Sequence, residues 1–361
     1  MALLTTVNST ELCDRDEKQS VDEYYVSNKQ QSMQYKQSDH HKRSGQLKLF
    51  ISSHFPQPYS FEPMVGDAGM RSYYRVKDNK TSFVVMDCPP DYAEVEIFAN
   101  ISKFLLERGF SAPQVFKQNL EQGFLLLEDF GNVSIKKYLE TGGKSTEKRK
   151  QIYCLIIDLL VSLQSKDRLS TLKEFDNEML CKELEVFIDW YVPYAYKRKL
   201  KVHELEEFIK LWQSVLAQKV PMPRAMVLRD YHLENMMYLE QRSSVQKIGL
   251  LDFQDALWGS PIYDLVSVLE DARFDVPRNE ALDLIDYFVI KTGLNKDAVL
   301  LNYHVLGAQR NCRILGVFAR KAIRDGNDGY LKYIPRVQGY LRYDLSHPVL
   351  SEIKIWFSKL K

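Results

Sequence analysis

Hydrophobic positions along the chain fall into two regimes. Between residues 46 and 131 they come mostly as short runs between turn-forming residues, and beyond residue 132 they recur at the three- and four-residue spacing of buried helical faces. Leu47, Leu49, Phe50 and Ile51 predict a short helix ahead of Pro56. Residues 63–76 and 82–87, separated by the turn at 77–80, read as strand, glycine-bearing turn, strand, tight turn, strand. Over residues 91–108, Ile97, Phe98, Ile101, Phe104 and Leu105 form a helical stripe, which Gly109 ends and Pro113 follows. Residues 123–128 read as a buried strand that leaves through Asp129-Phe130-Gly131. Helices are predicted over 148–164, burying Ile152, Leu155, Ile156, Leu159, Leu160 and Leu163, and over 172–191, 205–216, 280–292 and 297–322.

One stretch interrupts the helical regime. The apolar runs 226–228, 236–239 and 248–251 are too short for helices and read as brief strands, with 241–246 turning the last two into a hairpin. Asp230, Asn235 and Asp252 stand at the mouths of these strands. An Asp, an Asn five residues later and an Asp leaving the next hairpin suit phosphoryl transfer. That reaction needs a carboxylate to accept the attacking hydroxyl's proton and oxygen donors to hold Mg²⁺ on the nucleotide. An isolated Asp-x-x-x-x-Asn is more often an Asx-capped loop. The hairpin and the Leu-Leu-Asp-Phe exit supply the context that a short motif requires.

Neighbouring residues extend this reading. Gly66 and Gly69 allow the backbone between the first strands to approach a triphosphate through main-chain N–H groups, although a glycine-bearing hairpin is often only a hairpin. The exit at Glu128 and Asp129 is either a lobe-connecting hinge whose backbone meets an adenine edge or an ordinary strand end. Asp264, in the first turn of a helix, either holds the active loop by accepting backbone N–H groups or is a helix-start acid. Trp190, in the aromatic run 187–193, lines a substrate pocket or packs between helices. Arg310, Arg320 and Arg324 clamp a phosphate or a substrate carboxylate, or pair with surface acids. His232 and Asp255 are further structural or substrate candidates.

Composition narrows the classes. A formal net charge of +1 over 361 residues argues against a broad nucleic-acid footprint. The scattered cysteines Cys13, Cys88, Cys154, Cys181 and Cys312 form no C-x-x-C pair and read as reduced thiols. No apolar stretch approaches the roughly 18 residues of a spanning helix, and the start lacks a basic n-region, so a cytoplasmic protein without a membrane anchor is expected. Residues 1–44 are polar and read as a flexible tail, in which His40 and His41 have no further ligands to complete a metal site.

Arg229-Asp-Tyr-His-Leu-Glu-Asn235, Leu251-Asp-Phe-Gln-Asp255 and Tyr263-Asp-Leu265 resemble the aminoglycoside/choline kinase-type phosphotransferases, relatives of protein kinases. The runs 66–76, 86–90, 123–131, 263–271 and 309–320 are similar to those of bacterial N-acetylmuramate/N-acetylglucosamine anomeric kinases of cell-wall sugar recycling. The likeness spans roughly residues 45–345. It implies an α+β, bilobal protein-kinase-like fold, with a small antiparallel-sheet N-lobe over 45–131 and a mostly helical C-lobe over 132–361. It implies ATP and Mg²⁺ as cofactors, a small-molecule sugar as partner, Asp230 as base, and Asn235 and Asp252 as metal ligands. Two positions depart from the wider kinase pattern: Met86 stands where a phosphate-pairing Lys is usual, and Leu228 where a His precedes Arg-Asp. Arg71 or Arg75, beside the glycine turn, is expected to neutralise the phosphates instead. The alternatives are another hydroxyl acceptor, an amino alcohol or aminoglycoside, and a nucleotide-binding scaffold without catalysis; the oligomeric state is left open.

Overall fold

The computed structural model describes residues 40–55, 59–64, 71–78, 81–88, 94–141 and 145–360. The chain divides into two units, Met1–Pro58 and Tyr59–Lys361. In the first, α1 (His40–Ser52) begins six residues before the predicted start at 46 and takes in the end of the segment expected as tail. The remainder of that tail, and Gly66 and Gly69 of the glycine turn, lie outside the described residues.

The second unit opens with β1 (Ser60–Pro63), β2 (Ser72–Lys77), β3 (Ser82–Asp87), α2 (Glu94–Glu107), β4 (Val115–Asn119) and β5 (Phe124–Glu128). The strands form an antiparallel sheet in the order β1-β2-β3-β5-β4. β3 and β5 are central, which is why their sequences are apolar almost throughout. Register pairs Val84 with Leu127 and Met86 with Leu125, so these four share one face and one core with Val95, Phe98, Ile101, Phe104 and Leu105 of α2. Ile97, expected in the buried stripe, is 42% exposed. The buried face runs through Val95, Phe98, Ile101 and Leu105, and a residue two positions beyond Val95 lies about 200° around the helix from it.

Beyond residues 129–131 the chain becomes helical, with α3 (Ile135–Thr141), α4 (Thr146–Gln164), α5 (Asn177–Lys182), α6 (Val192–Tyr196) and α7 (Val202–Ala217). The helix expected over 172–191 is broken. Glu174 bridges to Trp258, the Asp176 carboxylate caps α5 by accepting Met179 N–H at 2.9 Å, and Phe187–Tyr191 forms a π-turn. β6 (Ala225–Val227) pairs with β9 (Leu257–Gly259), and β7 (Met236–Tyr238) with β8 (Ile248–Leu250), giving the predicted hairpin. Leu250 N–H donates to Ser111 O at 2.7 Å and Ser111 Oγ to Gln246 O at 2.7 Å, which ties this hairpin to the sheet-bearing part.

The remaining helices are α8 (Ile262–Leu269), α9 (Arg278–Thr292), α10 (Lys296–Asp325), α11 (Ile334–Asp344) and α12 (Ser351–Lys359). Asn295 caps α10 by accepting Ala298 N–H at 2.9 Å, and Gly326 stops it in the left-handed conformation. α10 packs so closely on the π-turn that a Cβ on Gly316 would stand 2.4 Å from the Val186 carbonyl.

Candidate active site

The turn between β6 and β7 carries the first acid. Arg229 has a φ of 67°, which an L-residue adopts only when its surroundings hold it there. Both oxygens of Asp264 do so, accepting Leu228 N–H at 2.6 Å and Arg229 N–H at 2.9 Å. Asp264 is fully buried, and burial pushes its pKa up to about 7 against the two backbone bonds, which favour the carboxylate. Ser267 Oγ donates to Arg229 O at 3.2 Å and accepts from Arg310 Nη2 at 2.8 Å. The strained turn is thus held from below by α8 and α10.

That turn sets Asp230 at the floor of a cavity. Burial raises its pKa, but the charges of Arg313, Arg229 and Arg310 favour the carboxylate and leave the carboxyl below its ordinary range. Asp230 is therefore an ionised acceptor near neutral pH. Asn235 Nδ2 donates to Asp230 O at 3.1 Å and approaches Asp252 Oδ2 at 3.4 Å, so one amide spans the two acidic loops. Leu251 N–H donates to Asn235 O at 2.9 Å and locks the second loop to the first. Asp252 is also left-handed, with a φ of 57°, and its Oδ1 accepts from Gln254 Nε2 at 2.9 Å and from Arg71 Nη2 at 3.2 Å. Phe253, next in the chain, stacks on Phe98 of α2 at 4.8 Å.

The loop is pinned at its far end. Glu234 pairs with Lys136 at 2.6 Å and with Arg273 at 2.8 Å. Asp271 accepts Leu233 N–H at 3.2 Å and Arg273 N–H at 2.8 Å. His232 Nε2 lies 3.0 Å from Arg273 Nη1, and burial together with that cation lowers its pKa. The ring is neutral and accepts the guanidinium proton at Nε2, so its own proton sits on Nδ1, which has no partner among the described residues. His232 lines the cavity.

The cavity has a volume of about 620 Å³, within the range of small-molecule and cofactor sites. Val84, Leu127, Met237 and Leu251 make its apolar end, and Glu128, Asp129, Phe130 and Gly131 make its edge. Met86 is fully buried in the α2 core and brings no charge to the site. Arg71, Arg273, Arg310, Arg313 and Lys321 are the cations among the described lining residues.

Three of the residues expected at the nucleotide end have their side chains bonded to protein. Arg75 is not among the lining residues. Its guanidinium is held in a fork by Asp129 at 2.7 and 2.8 Å and by Gly131 O at 2.9 Å, with Asn132 as a further acceptor. Asp129 also accepts from Ser82 Oγ and from Gly131 N–H at 2.9 Å; burial raises its pKa, and these partners together bring it below the ordinary value. The Glu128 carboxylate pairs with Arg242, and its N–H donates to Gln114 O at 2.9 Å. Arg75, Asp129 and Glu128 therefore shape the edge through polar bonds to protein, and of the two arginines expected to meet the phosphates only Arg71 lines the cavity.

Arg310 is 3% exposed and lines the cavity, while Trp190 and Asp255 line a second cavity of about 650 Å³. Arg313, which sequence reasoning did not single out, lines both. Its Nε lies 3.5 Å from Glu183 Oε1, and its pKa rises because Tyr263, Glu183, Asp230 and Asp255 outweigh burial. Its three-residue spacing from Arg310 on one helix was the available signal.

Among the described residues no group of three His, Cys, Asp or Glu side chains forms a metal cage. Asp252, with a 41% exposed side chain, and the amide of Asn235 fit a hard cation that takes its other oxygens from phosphates and water.

A sheet roofing such a cavity, over paired Asp–Asn and Asp loops on a helical base, defines a protein-kinase-like phosphotransferase. Choline kinase LicA from Streptococcus pneumoniae shares this fold, with a TM-score of 0.58 and 16% identity over 83% of this chain and 99% of that one. So does the ADP-bound aminoglycoside phosphotransferase APH(2'')-Ib, with a TM-score of 0.58 and 13% identity over 83% of this chain and 98% of that one. Residues 60–295 match the phosphotransferase enzyme family, and the chain belongs to it. It is 30% identical to the N-acetylmuramate/N-acetylglucosamine kinase of Caulobacter vibrioides, over 82% of this chain and 91% of that protein. It is 32% identical to the kinase of the same name from Neisseria meningitidis serogroup B, over 83% and 90% respectively.

Proposed function

We propose that the protein transfers the γ-phosphoryl group of ATP, in a Mg²⁺-dependent reaction, to the anomeric hydroxyl of N-acetylmuramate and N-acetylglucosamine. The observation that carries this reading is the Asn235 amide, 3.1 Å from Asp230 O and 3.4 Å from Asp252 Oδ2, which joins a proton acceptor to a metal ligand. The acceptor follows from the names of the curated relatives, which match over most of their length.

In this reading the Asp230 carboxylate takes the C1 hydroxyl proton as that oxygen bonds to the γ-phosphorus and the bond to the β-phosphate oxygen breaks, leaving ADP. Asn235 and Asp252 would hold Mg²⁺, which when bound neutralises charge on the phosphate oxygens. Arg71, beside Asp252, places a guanidinium where phosphate charge accumulates and replaces the lysine that Met86 lacks. Glu128 and Asp129 shape the adenine end. A cytoplasmic location fits the use of ATP, and no helix among the described residues is long and apolar enough to cross a membrane.

Incubation with Mg-ATP and each sugar, followed by phosphorus NMR of the product, tests the proposal; it requires phosphate on the anomeric carbon. In the same assay Asp230→Asn is expected to lower kcat by roughly 10²- to 10⁴-fold while ADP still binds. Near-normal turnover in that variant would remove Asp230 from its assigned role.

A further inference from the structure

The second cavity adjoins the catalytic one through Arg313 and Val317, and no step above uses it. Ile97 and Ile101 of α2, Trp190 of the π-turn and residues 254–257 after Asp252 line it. At its α10 wall stands Arg320, seven residues beyond Arg313 and so about 10 Å further along the helix.

The charges around this cavity are unevenly matched. Glu183 pairs with Arg229 and lies within 3.5 Å of Arg313, so both of these cations are answered. Lys173 and Lys182 are exposed at the rim, as are the acids Glu185, Asp189 and Asp255. Arg320 is half-buried, makes no hydrogen bond or ion pair among the described residues, and has a buried Nε without a partner. Burial, then the charges of Arg324 and Arg313, hold its pKa below the ordinary value, with Asp325 acting in the opposite direction. A buried donor that nothing accepts is costly, which here applies to Nε, and the planar fork of the guanidinium matches a carboxylate.

The two proposed acceptors differ by one such group. N-acetylmuramate carries a lactyl ether carboxylate where N-acetylglucosamine has a hydroxyl. Arg313, whose charge acts on Asp230, lines both cavities, and Trp190 and Arg320 line the second, so a pyranose with its C1 hydroxyl at Asp230 has room for its lactyl arm on that side. We infer that Arg320 is a specificity-determining residue that binds the acceptor's carboxylate in this second cavity. The inference rests on the acceptor reading given above.

Its test is the ratio of kcat/KM for N-acetylmuramate to that for N-acetylglucosamine, measured in parallel. Arg320→Ala is expected to lower the ratio about 10- to 100-fold, mainly through the KM for N-acetylmuramate. Arg320→Lys should recover part of it by keeping the charge without the fork. The methyl ester of N-acetylmuramate, which lacks the charge, should show the same loss with the unaltered protein, where folding is not in question. A wild-type ratio in Arg320→Ala, or an ester handled as well as the acid, overturns the inference while turnover of N-acetylglucosamine leaves the acceptor reading standing. Turnover of neither sugar by the unaltered protein overturns both.

Discussion

Asp264 holds the Arg229 turn with both of its oxygens, at 2.6 Å from Leu228 N and 2.9 Å from Arg229 N, and so positions Asp230 from a helix 36 residues away in the chain. The clamp needs an ionised carboxylate, because a protonated oxygen no longer accepts well, yet burial raises the Asp264 pKa to about 7. Asp230 itself is held below its ordinary value. The profile of kcat against pH should therefore show an acid limb near pH 7 that belongs to Asp264 and not to Asp230. Asp264→Asn should lower the plateau and remove that limb, as measured between pH 5 and 9.

The same group sets a stability trend of opposite direction. Its folded pKa of about 7 lies above the ordinary 3.8, so the folded state binds the proton more tightly. The stabilisation from this group is full below about pH 4 and declines as pH rises toward 7. The urea midpoint of the wild type should therefore fall relative to that of Asp264→Asn as pH rises from about 4 to 7, and parallel curves would contradict the assignment.

Arg71 and Arg75 are separable by experiment. Arg71 lines the cavity and bonds Asp252, so Arg71→Ala should raise the KM for ATP about tenfold with little change in melting temperature. The Arg75 and Asp129 side chains are only 11% and 6% exposed, so Arg75→Ala strands a carboxylate and should destabilise by about 3 kcal/mol. Calorimetry and ATP titration of the pair check this division.

Metal dependence is expected to pass through Asp252. Asp252→Asn retains the shape but not the charge, and should shift the Mg²⁺ concentration for half-maximal activity upward by about tenfold or more while lowering kcat. Chelation should abolish turnover in the wild type and added Mg²⁺ restore it. A titration curve unchanged in the variant would place the metal elsewhere.

Gly316→Ala tests the packing of α10. The added methyl would fall 2.4 Å from Val186 C and O, which are backbone atoms that cannot rotate away. The two elements must separate, at a cost of about 1–3 kcal/mol or more, readable as a lower midpoint in chemical denaturation.

Much of the architecture is legible along the chain because hydrophobic periodicity records which side of an element is covered. The sheet strands β2, β3 and β5, the hairpin of β7 and β8, and the helical stripe through Phe98, Ile101, Phe104 and Leu105 follow from spacing, whereas the edge strand β4 is not expected from it. The acids and amide at the mouths of the short strands follow as well, since Asp230, Asn235 and Asp252 lie close together in one stretch, although distant groups such as Asp264 hold its turns in place. Periodicity falters where a distant element intervenes. The run 172–191 looks helical by itself, but pairing of Glu174 with Trp258 and the close approach of Gly316 to Val186 divide it.

The tertiary structure alone decided the partners of the long polar side chains. Arg75 meets Asp129 across 54 residues and Arg71 meets Asp252 across 181, so two arginines four positions apart have different tasks. Asp264 became the clamp, Arg313 joined two cavities, and Arg320 was left with open donors. The physical reason is one of range. Local sequence sets backbone conformation and the buried face, whereas the free energy of a charged group depends on which distant element is brought opposite it and on how much water remains between them.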